Sequence, residues 1–242
     1  PKSVETAKRI VIEAPLVRGS FSLRGARLDD VILTGYKESL DGDSDNIHFL
    51  QKTSSDMPFF VEFGWSSSDA NLLMPTADST WSADRELLAP SSPVTLTWKN
   101  GQGLTFSRRI SINDDYLFTF EDSVTSTLAS DVTLYPYGLV RRHGTPATTG
   151  MYILHEGPLG VFDETLTEED YGDLRDAGAN GIKIRPDKAG GWVGITDKYW
   201  LAALLPTQTK SYNFGFQSLA GDNDRYQAVS YTHLRAHETF AN

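Results

Sequence analysis

From Val94 to Phe120 the apolar residues other than Leu117 fall on even positions: Val94, Leu96, Trp98, Leu104, Phe106, Ile110, Ile112, Tyr116, Phe118 and Phe120. Thr95, Thr97, Thr105, Ser107, Ser111 and Thr119 hold odd ones. A period of two marks strands with one buried face. The phase survives two turns, and that constrains the pairing. A two-residue turn at Asn100-Gly101 would set Leu96 against Thr105 and expose one strand's apolar face to water. A three-residue loop of Lys99, Asn100 and Gly101, with Gly101 left-handed in a bulge, sets Leu96 against Leu104 and Val94 against Phe106. An odd-length loop at Asn113-Asp114-Asp115 places Ile112 against Tyr116 and Ile110 against Phe118. The stretch from Val94 to His143 is thus predicted to be an antiparallel meander with one continuous buried face.

Short apolar or alternating runs recur at Arg9 to Ala14, Gly19 to Leu23, Asp30 to Leu33, Phe59 to Trp65, Tyr152 to His155, Gly160 to Phe162, Ile182 to Ile184, Trp192 to Ile195, Tyr199 to Leu205 and Tyr212 to Phe216. Gly, Pro, Asn, Asp and Ser separate nearly all of them, the spacing of an all-β antiparallel sandwich. One helical turn or two is predicted at Thr167-Glu168-Glu169-Asp170-Tyr171, with Thr167 as N-cap and Gly172 as terminator. Leu40 to Asn46 and Ser66 to Ala83 have loop composition. The second is long, so Leu72, Leu73 and Trp81 are expected to tuck down over a sheet edge. A chain of 242 residues can close one core, and a single domain over 1–229 is expected. From about Ser230 the text SYTHLRAHETFAN abandons the strand pattern, and 230–242 is expected to be a foreign or disordered tail.

Composition narrows the chemistry. A formal charge of −10 without a Lys/Arg cluster argues against nucleic acid and anionic lipid as partners. There is no cysteine, which excludes thiol catalysis, disulfides and zinc-thiolate sites. The longest apolar run, Tyr199 to Leu205, stops at Pro206, far below the roughly 20 residues of a membrane-spanning helix. Gly101-Gln102-Gly103 and Gly190-Gly191 lack the strand-to-helix context of a phosphate loop. His143, His155 and Glu156 are the candidate acid/base set, since proton transfer to a sugar needs opposed groups that titrate near neutrality. Their spacing does not bring them together, which favours turn and strand-end roles. Trp192, Tyr199 and Trp200 could form a stacking surface for sugar or extended peptide. Asp29-Asp30, Asp114-Asp115 and Glu168-Glu169-Asp170 lack calcium-loop spacing and read as solvated turns. His233 and His237 at i, i+4, beside Glu238, have metal-pair spacing but fall in the expected tail. No catalytic residue, cofactor or metal site is assigned.

Five motifs in one order are more specific than any of these. GSFSLRGARLDDVILTGYKES at Gly19 to Ser39, VTLTWKNGQGLTF at Val94 to Phe106, LYPYGLVRRHGTP at Leu134 to Pro146, YILHEGPLGVF at Tyr152 to Phe162 and GGWVGITDKYWLAALLP at Gly190 to Pro206 resemble the large periplasmic domain of bacterial YidC membrane-protein insertases in their alphaproteobacterial form. The resemblance implies a β-supersandwich like the galactose-mutarotase fold, with at most one or two short helices. It also implies a place at the periplasmic face of the inner membrane, with attachment only through transmembrane helices outside this sequence. The implied role is non-enzymatic: an accessory scaffold that helps insert and fold inner-membrane proteins, with Sec translocon components and nascent membrane proteins as partners. It supplies no catalytic residues. A chain that starts at Pro1 rather than Met is expected to be a piece of a longer protein, and incomplete closure of the sandwich would leave sheet edges prone to pairing. The alternative is a mutarotase-like carbohydrate-binding or carbohydrate-active domain, because fold analogy alone does not settle function. A third reading is capture of extended peptide by strand addition or apolar contact.

Overall fold

The computed structural model describes residues 7–41, 43–146, 155–219 and 224–232. Among these the strands are β1 (Arg9–Glu13), β2 (Val17–Ser22), β3 (Arg27–Lys37), β4 (Asn46–Leu50), β5 (Phe59–Ser67) and β6 (Ser82–Ala83). Then follow β7 (Leu87–Leu88), β8 (Val94–Lys99), β9 (Leu104–Ile112), β10 (Phe118–Ser126), β11 (Leu134–His143) and β12 (Gly157–Phe162). The last are β13 (Thr165–Glu168), β14 (Ile182–Ile184), β15 (Trp192–Thr196), β16 (Leu201–Leu204), β17 (Asn213–Leu219) and β18 (Arg225–Tyr231). One helix, α1 (Tyr171–Ala177), runs into a 3-10 turn at Gly178–Asn180. The all-β class with short helices is as the sequence implies. The chain divides into two compact units, Pro1–Thr53 with Ser67–Leu134, and Ser54–Ser66 with Tyr135–Asn242.

The first unit holds the strand order β4-β3-β2-β1-β7 and a second sheet ordered β10-β9-β8-β6. Their pairs are antiparallel except for a two-residue parallel contact of β1 with β7. The even positions of β8 and β9 are buried at Val94, Leu96, Leu104, Phe106, Ile110 and Ile112, together with Ile10, Ile12, Phe21, Leu28 and Leu88 of the first sheet. The alternation is therefore borne out on β8 and β9. On β10 Phe118 and Phe120 are half-buried and most other positions exposed, so the buried face fades at the sheet edge.

Even positions do face even ones, but the partner on β9 of each β8 residue lies four residues beyond the predicted one, and the partner on β10 of each β9 residue two beyond. Leu96 stands opposite Arg108, Trp98 opposite Phe106, and Val94 opposite Ile110. Ile112 faces Phe118, and Ile110 faces Phe120. The loops are Gly101-Gln102-Gly103 and Asp114-Asp115-Tyr116. Two physical causes act together. First, Asn100 and Asn113 are strand ends rather than loop residues: each backbone N–H donates to the carbonyl four residues on, Leu104 or Leu117, at 3.1 Å. Each side-chain Oδ1 accepts from the backbone N–H groups two and four residues on, at 2.8 and 3.0 Å for Asn100 and 3.0 Å for both at Asn113. Gly101 and Gly103 supply the left-handed backbone, φ 74° and 99°, that the first loop requires. Second, Arg108 sits in the apolar row and is wholly buried. The observed register puts Asp122 opposite it, with Nε and a terminal nitrogen 2.7 and 2.9 Å from the two carboxylate oxygens. The predicted register would have faced that buried cation with Phe120, at a cost of several kcal/mol.

The second unit holds the order β14-β17-β18-β11-β5 and a sheet ordered β13-β12-β15-β16. Phe162 of β12 meets Phe214 and Phe216 of β17, with centroids 4.7 and 6.2 Å apart. On the opposite face of β17 and β18 lies a second cluster of Phe60, Leu139, Val229 and Tyr231 with Tyr137 against it. A polar ladder crosses the same strands: Arg141 donates to Gln227, which donates to Gln217 at 2.9 Å.

The helix is displaced from its predicted place. Thr165–Glu168 is strand β13, hydrogen-bonded to β12. Asp170 is the N-cap residue and Gly172 lies inside the first turn. Tyr171 and Leu174, one turn apart and both buried, anchor the helix face, and Gly178 at φ 59° ends it. Of the long loop, Trp81 is buried as expected and Leu72 half-buried, but Leu73 is exposed. Polar bonds hold it instead: Gln102 Oε1 accepts from Leu73 N–H at 2.8 Å and Asn100 Nδ2 donates to the Leu73 carbonyl at 3.2 Å. Strand β18 continues through Ser230 and Tyr231, so these two residues belong to the sheet rather than to a tail. Residues 152–154 of the predicted run Tyr152 to His155, and residues 233–242 with His233, His237 and Glu238, lie outside the described residues.

Because Arg108 is buried against one carboxylate, Asp122→Ala is expected to lower stability by about 3 kcal/mol. The double change Arg108→Leu with Asp122→Leu should recover most of that loss. Urea midpoints of the three proteins check it; equal stability of Asp122→Ala and the parent would show that the pair does not set the register.

Candidate functional site

His143 ends β11, where its backbone N–H donates to the Pro58 carbonyl at 2.8 Å and its ring meets Phe60 edge-on at 5.8 Å. His155 Nε2 lies 3.1 Å from the Pro158 carbonyl oxygen, and Nδ1 lies 3.9 Å from Asp170. A carbonyl only accepts, so that contact places the proton on Nε2. Glu156 is half-buried. The two histidines are thus held by neighbours from turns and strand ends.

A denser polar network lies beside them. Arg142 donates to both carboxylate oxygens of Asp197, at 2.7 and 2.6 Å, with its guanidinium 4.1 Å over the Phe59 ring. The Tyr226 hydroxyl donates to Asp224 at 3.1 Å, accepts from Arg175 at 2.7 Å and lies 2.8 Å from the Thr145 hydroxyl. Tyr171 packs against Tyr226 at 4.6 Å, but its hydroxyl and Arg142 Nε have no hydrogen-bond partner among the described residues. Burial pushes the Tyr171 phenol well above its ordinary range; Asp197, Tyr226 and Glu156 add to the rise and Arg142 opposes it. Such a phenol stays protonated at any physiological pH. The network's structural effect is clear: Arg142 on β11 fixes Asp197, the residue that opens the turn into β16.

That turn carries two of the three predicted surface aromatics. Asp197 N–H donates to the Trp200 carbonyl at 2.8 Å, leaving Lys198 and Tyr199 at the tip. Tyr199 is 72% exposed, with Lys198 Nζ 4.9 Å from its ring centroid. Trp192 starts β15, roughly 13 Å of strand away from the turn. The three aromatics thus do not form one stacking platform. Trp192 belongs to a broader surface.

On the β13-β12-β15-β16 sheet, Phe162, Val193, Ile195, Ala202 and Leu204 face inward and are buried. The opposite face is largely apolar as well, with Glu168 beside Leu159 and Thr196 beside Leu201 as its polar members. Leu166 lies beside Val161, and Val161 beside Trp192; Leu205 follows Leu204, the partner of Val193. Leu159 and Ala203 flank Gly194 in the next row. Leu166 is 53%, Leu205 65% and Leu201 44% exposed. The legible signal was apolar residues on both parities, as in Leu201-Ala202-Ala203-Leu204, where a solvated sheet face would alternate.

Of the acidic pairs, Asp114-Asp115 is an exposed turn as predicted, but Asp29-Asp30 is not. Both lie buried in β3. Asp29 is ion-paired with Arg9. Asp30 contacts Ser20 at 2.6 Å, His48 at 2.9 Å and Lys52 at 3.2 Å. Arg9 from β1, the Ser20 hydroxyl from β2, the His48 ring from β4 and Lys52 after it made the burial tolerable, and no local pattern announced them. Burial raises the Asp30 pKa, but Ser20, Lys52 and His48 outweigh it and hold the carboxyl below its usual range. Glu168 ends β13 and Asp170 caps α1; between them, burial and the charges of Asp173 and Asp170 raise Glu169. Among the described residues no three acidic or histidine side chains group as a metal site.

The family model of the YidC periplasmic domain matches residues 9–236. This chain belongs to that family. The match reaches into the segment that the sequence pattern alone assigned to a tail. Curated relatives named membrane protein insertase YidC include those of Granulibacter bethesdensis, 42% identical over 228 residues, and Methylorubrum extorquens, 46% over 214. A Methylobacterium relative is 42% identical over 243 aligned residues. These alignments cover 93%, 86% and 97% of this chain but 39%, 35% and 39% of the relatives. The chain thus spans under two fifths of their length. Within this YidC-family domain the five motifs quoted above fall on the β2–β3 pair, the β8–β9 hairpin, β11, β12 and the β15–β16 hairpin that bears the apolar face.

Two outcomes test the electrostatics. The folded Asp30 pKa is lowered, so the unfolded state binds more protons between the two values. Its contribution is complete above about pH 4 and is lost as pH falls through the lower, native value. Urea midpoints measured from pH 6 down to pH 3, values chosen to bracket ordinary carboxylate titration, should fall more steeply for the parent than for Asp30→Asn. Parallel curves would refute the assignment. Tyr171→Phe removes a hydroxyl without a described partner and should change stability by less than about 1 kcal/mol, whereas Arg142→Met should cost about 3 kcal/mol by stranding Asp197.

Proposed function

We propose that this chain is a non-enzymatic interaction and scaffold domain at the periplasmic face of the bacterial inner membrane. It works within a membrane-protein insertase, beside Sec translocon components, and contacts nascent membrane proteins while they insert and fold. Membership of the YidC periplasmic-domain family over residues 9–236 carries the reading. The apolar outer face of the β12–β16 sheet supports it, because an exposed apolar surface of this kind suits protein contact. His143 and His155 engage in local structural contacts, which gives no support to sugar chemistry.

A photocrosslinking side chain placed at Tyr199 in the full-length insertase, in membranes, is expected to capture nascent membrane protein or a Sec component. The same group at Asp114, in an exposed loop of the other unit, serves as comparison. Equal, background labelling at all surface positions would sink the accessory role. Anomer exchange of a simple sugar by the purified chain would favour the carbohydrate reading instead.

A further inference from the structure

Strand β16 is an edge: among the described residues its only partner is β15. The Asp197–Trp200 backbone bond fixes the phase of the hairpin. Leu201 and Ala203 therefore sit in non-hydrogen-bonded pairs with Thr196 and Gly194, and their N–H and C=O groups point away from β15. The same two residues turn their side chains to the apolar outer face. Longer edges elsewhere in the chain carry guards. β10 has Glu121 and Asp122, β13 has Glu168, β14 has Lys183 and β4 has His48, whereas β6 and β7 are two residues each. β16 is Leu-Ala-Ala-Leu, with no charge, no proline and no shift of register. An unguarded edge beside an apolar face is a template for one more strand.

We propose that β16 docks an extended, apolar, neutral-to-basic polypeptide segment, which pairs with the backbone of Leu201 and Ala203. Alternate side chains of the segment lie against Leu201, Leu205 and Trp192. This deepens the reading above and rests on it for the source of the segment, a nascent membrane protein, but not for the binding itself. Charge chooses the occupant. At −10 a second copy of this chain is repelled, as is any acidic strand, whereas Lys or Arg flanking an apolar segment is attracted. The exposed apolar area is on the order of 500 Å², short of the roughly 800 Å² per partner of a stable pair, so the contact is transient.

The test uses the whole 242-residue chain and a labelled synthetic peptide of alternating valine and threonine with a lysine at each end, read by fluorescence anisotropy. The peptide binds, and its copy N-methylated at every second amide, on the pairing edge, does not. Ala203→Pro weakens binding roughly tenfold or more. The proline is tolerated because that N–H is not bonded to β15, and a melting curve checks that the fold is kept. Leu205→Lys, outside the strand, also weakens binding and keeps the inference testable should Ala203→Pro unfold. Equal binding of methylated and unmethylated peptide overturns strand addition. Sedimentation showing a dimer that Ala203→Pro abolishes would assign the edge to a second copy and overturn the proposal. Strand addition with no crosslink at Tyr199 in membranes would leave the docking edge standing and refute the insertase role.

Discussion

The buried guanidinium of Arg108 is the constraint around which the first unit is arranged. A charge with no solvent exposure is tolerable only with a carboxylate at hydrogen-bonding distance, and Asp122 is that carboxylate. The pairing fixes β10 on β9, because a slip by two residues in either direction brings an apolar side chain, Phe120 or Val124, opposite the cation. It also brings Arg109 to Glu121 on the other face at 2.7 Å. Trp81, from the long loop, lies 5.6 Å from the guanidinium, so the same charge recruits the connection that covers the sheet. One side chain thereby determines a register, an edge strand and the seating of a loop.

Parity was legible in the sequence, whereas register was not, and the difference is physical. Burial of one face sees only odd or even, so the alternation from Val94 to Phe120 fixed which residues turn inward. It is indifferent to a slip by two, which keeps every apolar residue inside. The slip is resolved by polar groups: the amides of Asn100 and Asn113, and the ion pair of Arg108. A lone arginine among apolar even positions was the sign available. The helix misplacement has a similar origin. Thr167 and the acidic residues after it fit a helix start, but β12 needed a partner strand, and the buried pair Tyr171 and Leu174 drew the helix downstream.

Strand β18 and the outer apolar face escaped for a different reason. Strands buried on both sides lose alternation, and Arg225–Tyr231 mixes glutamine with tyrosine, alanine and valine because its polar groups are satisfied across strands, Gln227 by Gln217 and Arg141. The same lack of alternation in Leu201–Leu204 has another origin, since one of its faces remains open. Two-sided apolar strands are therefore of two kinds that the sequence does not separate. Exposure separates them, and it marks β16 as the strand with surface to offer. Of the predicted surface aromatics, Tyr199 and Trp200 belong to the turn before β16 and Trp192 to the sheet behind it.

An exposed apolar sheet face endangers solubility, and the charge of the chain answers that danger. Acidic residues exceed basic ones by ten, so molecules repel one another at long range while the patch stays bare. The repulsion falls with the Debye length, about 8 Å at physiological salt, and so restrains approach without covering the surface. Within the fold, Arg142 and Asp197 hold the β15–β16 turn against β11, which keeps the edge in strand conformation before any partner arrives. A pre-ordered edge pays less ordering entropy on binding than a loop would. Acidity that keeps copies apart and an ion pair that stiffens the turn act on the same feature from opposite sides, and together they allow an unguarded edge to persist on an exposed surface.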